Sequence, residues 1–577
     1  MKLERKPLVL SIIFLLTAFA LLYSGVIRIG FLSDDFLDLH HSFTVGSFTR
    51  IEAGGFRPLI VAVWSFDSAV YGSSNAWGWH LTNILLHLFN VVLIWLLLKE
   101  LGFRNLALFF GVAFFLLSAA GPPSVARISG RTTVIAMLPL LAGFIFHARW
   151  VKHGDRRNLA AGMVLLLVSL LAKETALAAP LSFGAISLYM RGDENSHLRW
   201  REASRDILLY CIPIAVYLLW RTLFGLLSTN YDASLSYGFF MIKNLAVLGA
   251  IPWSPWFDGL SIRMLVVLLI ALLALPFASR LKILFLLMTV SLLLTVSNLP
   301  PNPVYAYAAL PACAILVSGL SMMLKKRIAV TLFILLSAGS FLASRDEISR
   351  IIQASDYVDH LVDQIRIIDE ECPGRTPIFL SGIQFMVAGY GTIWEGSMED
   401  VFETAGFETD RLFADDGCFW EYVYALHKDN GLAVCHFVHL GKDSFNVREF
   451  STASRIWSGT ERHTTVLSEN GVLWIDDSLF MFNSLAVPHP GEGLLIDITD
   501  PRCPQEISFL EPTCISEDTA FFDLEGSIQW LLSDPPFSIR LISPGRISDS
   551  VVFSTRRFWL ESLEARLLAK QEYLPVP

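Results

Sequence analysis

The chain is 577 residues long, with 54% of them hydrophobic and only 17% charged. A water-soluble protein of this size needs far more polar surface, so the composition excludes a single soluble body and implies a polytopic membrane protein. The formal net charge of −9 says little by itself, and no basic face interleaved with aromatics points to nucleic acid.

The first apolar run, LVLSIIFLLTAFALLYSGVI, follows Lys2, Arg5 and Lys6. It is too long for the core of a secretory signal and no small-x-small cleavage site follows it. It therefore reads as an uncleaved first span with a cytoplasmic N-terminus. A spanning helix needs roughly 20 mostly apolar residues. Further candidates fall at about 80–98, 106–120, 131–150, 158–172, 175–190, 206–224, 262–278, 283–298, 304–323 and 328–344.

Lys and Arg in short loops mark the cytoplasmic side. Alternate loops hold Lys99 with Arg104, then Arg149, Lys152, Arg156 and Arg157, then Arg191, Arg199, Arg201 and Arg205. Arg280 with Lys282 and the cluster Lys325, Lys326 and Arg327 continue the series. The alternation closes only if 239–252, which contains Lys243 and ends in IPWSPWF, lies at the interface or re-enters instead of crossing. The expected architecture is a polytopic α-helical membrane protein of about 11 transmembrane helices over 1–344, with everything after residue 345 outside.

The segment 345–577 reads as an extracytoplasmic α+β domain. TTVLSENGVLWID is two strand-like runs around Asn-Gly, the strongest short hairpin signal. TPIFLSG and GLLIDIT read as further strands, SMEDVFETAG and ARLLAKQEY as helices. Cys372, Cys418, Cys435, Cys503 and Cys514 fall here; Cys503 with Cys514 closes the shortest candidate loop, but the odd number leaves pairing open. No catalytic motif occurs in this domain, so acceptor binding or packing over a membrane site is its expected role.

The first outer loop, about 28–79, holds the densest titratable patch: FLSDDFLDLHHSF, with Asp34, Asp35 and Asp38 followed by His40 and His41. Arg57, Arg127, Arg131 and Lys173 are basic residues on the same side that the positive-inside rule does not require. Such residues pair with lipid phosphates or serve a phosphate-bearing substrate, and position alone does not choose. His80 and Asn83 share a helix face with His87, which suits helix–helix hydrogen bonding and substrate contact equally.

Five pieces then occur in a recognisable order: SDDF after the first helix, FRPL at 56–59, WHLTNILLHL at 79–88, ISGRTTVIA at 128–136 and LLAKETALAAPL at 170–181. Together they resemble the GT-C glycosyltransferases, in particular bacterial relatives of the protein O-mannosyltransferases and their tetratricopeptide-bearing cousins. The resemblance covers about residues 1–190 well and the later helices loosely. Two departures stand out. An Arg-Tyr pair found in relatives is replaced by Val304-Tyr305 in NPVYAYAALP, and no tetratricopeptide repeats are present.

The resemblance implies transfer of a sugar, mannose being one candidate, from a polyprenyl phosphate to an acceptor hydroxyl outside the cytoplasm. The leaving group is a lipid phosphate, so fixed cations matter more than a general acid. The acceptor hydroxyl needs a carboxylate base, typically contributing about 10²–10⁴-fold. Alignment to the family makes Asp34 the first choice for that base, with Asp35 beside it. Arg57, Arg131 and Lys173 become donor-phosphate candidates, while His80, Asn83 and Glu174 become substrate-binding candidates. For any one of these acids, capping a helix or solvating the membrane exit is the plainer role; for Lys173 and Glu174 it is a structural ion pair.

Asp38, His40 and His41 invite a metal, but no further ligand is spaced to complete a shell, so no metal or other cofactor is expected to be obligatory. The expected partners are a polyprenyl-phosphate-linked sugar, a protein or glycan acceptor and the lipid bilayer. The expected location is a bacterial cytoplasmic membrane. The rival class is a transporter or lipid flippase with an accessory outer domain. Against it, the charge sits at one membrane edge and no second half echoes the first. An anchored scaffold or sensor would not need so many spans.

Overall fold

The computed structural model describes residues 5–36, 39, 57–72, 75–192, 196–223, 238–253, 279–296 and 303–372, and beyond these short stretches between 378 and 553. Two compact units emerge. One comprises Met1–Asp359 with Met386–Ile393, the other His360–Phe385 with Trp394–Pro577.

The first unit is helical: α1 (Arg5–Tyr23), α2 (Pro58–Tyr71), α3 (Ala76–Glu100), α4 (Asn105–Leu117), α5 (Arg131–His153), α6 (Arg156–Leu170), α7 (Pro180–Met190), α8 (Ser196–Leu223), α9 (Gly238–Ala250), α10 (Ser279–Leu293), α11 (Leu310–Met323) and α12 (Lys326–Glu371), the last of which belongs to the second unit from His360 onward. Among the described residues five helical stretches are long and apolar enough to cross a membrane: α3, α5, α8, Pro303–Met323 and α12. The protein is an integral membrane protein. The described residues do not supply the expected 11 spans. The expected span at 262–278 lies outside them, and those at 106–120 and 175–190 are the shorter helices α4 and α7. The stretch expected at the interface forms α9, only 13 residues long, followed by a 3-10 turn at Ile251–Trp253.

Helix α3 shows why a spanning segment tolerates so many polar groups. His80, Asn83, His87 and Asn90 recur every three or four residues, which places them on one face, and all four are fully buried. Asn83 Nδ2 donates to the carbonyls of Val125 and Arg127 at 3.1 and 2.9 Å, and Asn90 Nδ2 donates to Val134 O at 2.9 Å. His87 sits between the hydroxyls of Tyr307, 2.8 Å from Nδ1, and Tyr23, 3.3 Å from Nε2. The polar stripe thus binds α3 to α1, to the turn before α5 and to the stretch entering α11.

Helices α3 and α5 run parallel, with α4 returning the chain between them. Arg131 at the start of α5 reaches Trp79 O near the start of α3, whereas Arg149 near the end of α5 pairs with Glu100 at the end of α3, 2.8 Å apart. The basic loops expected to be cytoplasmic therefore share one end of this pair, and the opposite end carries the acidic and cationic residues of interest. Gly154, at φ 71°, terminates α5 in the left-handed conformation and Asp155 caps α6 by accepting from Arg157 N–H.

Helix α12 spans 46 residues and passes without a break through residue 344, the expected domain boundary. Beyond its apolar stretch Ile348, Ile351, Val358, Leu361, Ile365 and Ile368 are buried at near-helical spacing. A two-rung hairpin follows in the first unit, β2 (Met386–Val387) against β3 (Tyr390–Gly391), after β1 (Ile378–Ser381) of the second unit.

In the second unit β1 lies between parallel neighbours Leu412–Phe413 and Val434–Leu440. The segments 464–469 and 472–477 pair antiparallel, with Glu469↔Val472 the last pair, and 495–499 forms another strand. Met398–Ala405 is helical. The expected helix at ARLLAKQEY and Cys503 lie outside the described residues. Cys372 is buried and not in a disulfide.

Candidate active site

The candidate site is organised by one short segment, residues 127–133, which turns into α5. Gly130 lets it pack: a Cβ there would lie 2.8 Å from Pro123 O and 2.9 Å from Ser124 O, closer than any side chain permits. Successive residues of this segment reach four different groups.

Asp34 and Asp35 occupy a helical turn after α1 and differ sharply. Asp35 is fully buried. Its Oδ2 accepts from Leu32 N–H at 3.1 Å and its Oδ1 from Ser129 N–H at 2.7 Å. Burial pushes its carboxyl pKa up, opposed by the Arg127 charge and by the bonds from Ser129 and Leu32. Both oxygens hold backbone in place. Asp34 is 52% exposed, and its Oδ2 lies 3.7 Å from Arg127 Nη2. Adjacent residues on one turn point in different directions, so one acid builds the loop while the other faces outward.

Arg131 takes a different path. Its guanidinium pairs with Asp67 of α2, donates to Trp79 O at 2.8 Å and lies over the Trp79 ring. Both charged side chains are completely buried, and Thr82 Oγ1 donates to Asp67 at 2.8 Å. A residue expected at the donor phosphate thus joins α2, α3 and α5. His80 and Asn83 are likewise buried within α3's polar face, with His80 Nε2 3.4 Å from Gly30 O.

Thr132 and Thr133 complete the segment. Their hydroxyls accept from Lys173 Nζ at 3.1 and 2.8 Å, and the ammonium lies 5.3 Å from the centroid of the Tyr305 ring. Beside it Glu174 takes Arg57 Nε at 3.4 Å and Arg221 Nη1 at 3.5 Å. Leu59 N–H donates to Leu171 O at 3.1 Å, which ties the start of α2, and with it Arg57, to the loop carrying Lys173 and Glu174. Three cations therefore gather around one carboxylate. Burial, and next the Arg57 charge, push the Lys173 ammonium down to about 7, while Glu174 acts the other way.

Arg57, Lys173 and Glu174 lie together, Arg131 does not join them, and Arg221, which the sequence reading missed, does. It ends an apolar helix, where it reads as a snorkelling residue. The signal was its place as a lone charge in the last turn of α8, at the end opposite Arg199–Arg205. Ser129, bonded to Asp35, and Thr133, bonded to Lys173, are four residues apart in the segment that enters α5. Asp38, His40 and His41 lie outside the described residues. The arrangement offers an outward-facing carboxylate, a buried structural one, and a cation cluster joined to both by a single segment.

No family model matches the chain. Part of it is similar to two curated proteins of Drosophila melanogaster. Over 132 residues, 22% of this chain, it is 31% identical to protein O-mannosyl-transferase Tmtc2. Over 144 residues, 25% of this chain, it is 28% identical to protein O-mannosyl-transferase Tmtc1. The matches span 14% and 17% of those proteins' own lengths. Among solved structures, apo ArnT from Cupriavidus metallidurans aligns over 75% of this chain and 93% of its own, at 13% identity and a TM-score of 0.39.

Proposed function

We propose that this integral membrane protein, whose sequence resembles GT-C glycosyltransferases, moves a sugar from a polyprenyl phosphate to an acceptor hydroxyl. The observation that carries the reading is the pairing of an exposed Asp34 with the Arg57–Lys173–Arg221 cluster through the 127–133 segment. Asp34 takes the proton as the acceptor oxygen attacks the anomeric carbon. The bond from that carbon to the phosphate oxygen breaks, and its electron pair stays on the phosphate. The cations hold the charge that develops there, a role in which preorganised groups out of bulk water are most effective. Because side chains supply that charge, the reaction requires no metal ion. Glu174 balances the cations and turns two of them toward one another.

Mannose is the sugar favoured by the names of the similar Drosophila proteins, and a protein or glycan is the acceptor. The site faces the outside of a bacterial cytoplasmic membrane, and the C-terminal unit lies on that side. Purified protein in nanodiscs, assayed against a panel of polyprenyl-phosphate sugars, will transfer at least one of them to a hydroxyl acceptor. Absence of transfer with every donor overturns the reading in favour of a transporter or flippase.

Lys173 makes donor binding depend on pH. With its pKa near 7 the ammonium is lost as pH rises through neutrality, so the donor's Kd increases above about pH 7, by up to about tenfold per unit. The Lys173→Arg variant stays charged and flattens this dependence. Isothermal titration with a polyprenyl phosphate between pH 6 and 9 checks the slope. Equal slopes in both proteins remove Lys173 from the donor site.

A further inference from the structure

The turn that carries Asp34 is strained. Ser33, immediately before it, sits at φ 50°, a left-handed conformation that non-glycine residues adopt at a cost. Its own side chain does not compensate, since Ser33 Oγ is buried and makes no hydrogen bond. Local bonds close the turn, Asp35 N–H to Leu32 O at 2.8 Å and Phe36 N–H to Ser33 O at 3.2 Å, and the Ser33 amide itself is held from a distance: Ser33 N–H donates to Thr392 O at 2.7 Å. Thr392 is buried and directly follows the β2–β3 hairpin, which turns at Ala388, itself at φ 53°.

The hairpin is fastened in turn to α12. Tyr390 Oη donates to the Glu347 carboxylate, and Arg350, one turn on, pairs with Asp346 at 2.9 Å. The same stretch of α12 reaches the loop again, where Gly30 N–H donates to Ser355 Oγ at 2.6 Å. Burial and the neighbouring Glu347 push the Tyr390 hydroxyl pKa up, so it keeps the proton it donates. The Arg127 guanidinium, partner of Asp34, acts on Tyr390 electrostatically as well.

We propose that Tyr390 is a positioning residue for Asp34: anchored to Glu347, it holds the hairpin whose Thr392 carbonyl keeps Ser33 in its left-handed conformation and so presents the Asp34 carboxylate outward. The proposal rests on the reading of Asp34 as the base. Tyr390 touches no reacting atom. It acts through the backbone, and an intact hairpin is a condition for turnover instead of for donor binding.

The test is the full-length protein carrying Tyr390→Phe, alone and combined with Ser33→Gly. Hydrogen exchange is followed by mass spectrometry over 29–36, and transfer is measured with undecaprenyl-phosphate mannose. Phenylalanine keeps the ring and removes only the hydroxyl. The expected result is faster exchange at the Ser33 amide and a kcat reduced roughly tenfold, with the donor KM within about twofold of wild type. Ser33→Gly, which adopts the same φ without strain, restores most of the lost kcat in the Tyr390→Phe background. Unchanged exchange at 29–36, or no rescue by glycine, overturns the proposal. If instead Asp34→Asn retains transfer while Tyr390→Phe speeds exchange, it is the assignment of the base that fails.

Discussion

Asp34→Asn will reduce sugar transfer by about 10²–10⁴-fold, the usual contribution of a positioned general base. The melting temperature will not move. Asp34 is half-exposed and holds Arg127 only loosely at 3.7 Å, so the amide costs the fold little. Asp35→Asn will behave in the opposite sense. Asparagine offers one acceptor where the structure uses two, leaving either the Leu32 or the Ser129 N–H buried without a partner, at about 1–3 kcal/mol. Its activity loss will follow its loss of stability. Initial rates and thermal unfolding of both variants, measured side by side, decide the matter. An inactive Asp35→Asn protein of unchanged stability would transfer the catalytic role to Asp35.

The second large effect concerns stability. Asp67→Ala will destabilise the protein by about 3–5 kcal/mol, because it strands the Arg131 charge where neither side chain has any exposure. Thr82 also loses its acceptor. Replacing both partners with apolar residues, Asp67→Leu with Arg131→Met, removes the stranded charge and recovers most of the loss. Denaturant titration in detergent measures both. A single variant costing under about 1 kcal/mol would show that water reaches Arg131, and would reopen its candidacy at the donor phosphate.

How much of this was legible in the sequence follows from what each signal depends on. Local signals read well. SDDF marked the acidic turn, KET marked a cation beside a carboxylate, and the apolar runs marked the longer helices. Relations between distant residues did not read. Nothing in SDDF says that Asp35 will find Ser129; the family resemblance alone ranked Asp34 ahead of it, and the residues themselves gave no reason to separate the two. Asp67 passed unnoticed as one polar residue on an amphipathic stretch, although α2 delivers it to Arg131. Arg131 at a helix start suits a phosphate and suits a buried carboxylate equally well. Arg221 was absorbed into an apolar count. The end of α12 could have been read, because buried isoleucines recur at helical spacing well past residue 344; the hydropathy threshold drops there while the periodicity does not.

That long helix also has a phase. Ala343 belongs to its apolar part, and only four residues later Glu347 receives Tyr390, with Ser355 meeting Gly30 two turns further on. Each residue advances the face of an α-helix by about 100°, so one residue inserted between Ala343 and Asp346 would swing Glu347 and Ser355 away from the groups they meet. Seven inserted residues nearly restore the angle but lift the same groups by about 10 Å. The lipid-embedded part of the helix and the part that braces the acidic turn are keyed to one another like wards on a shaft, and the chain length between them has almost no freedom to vary.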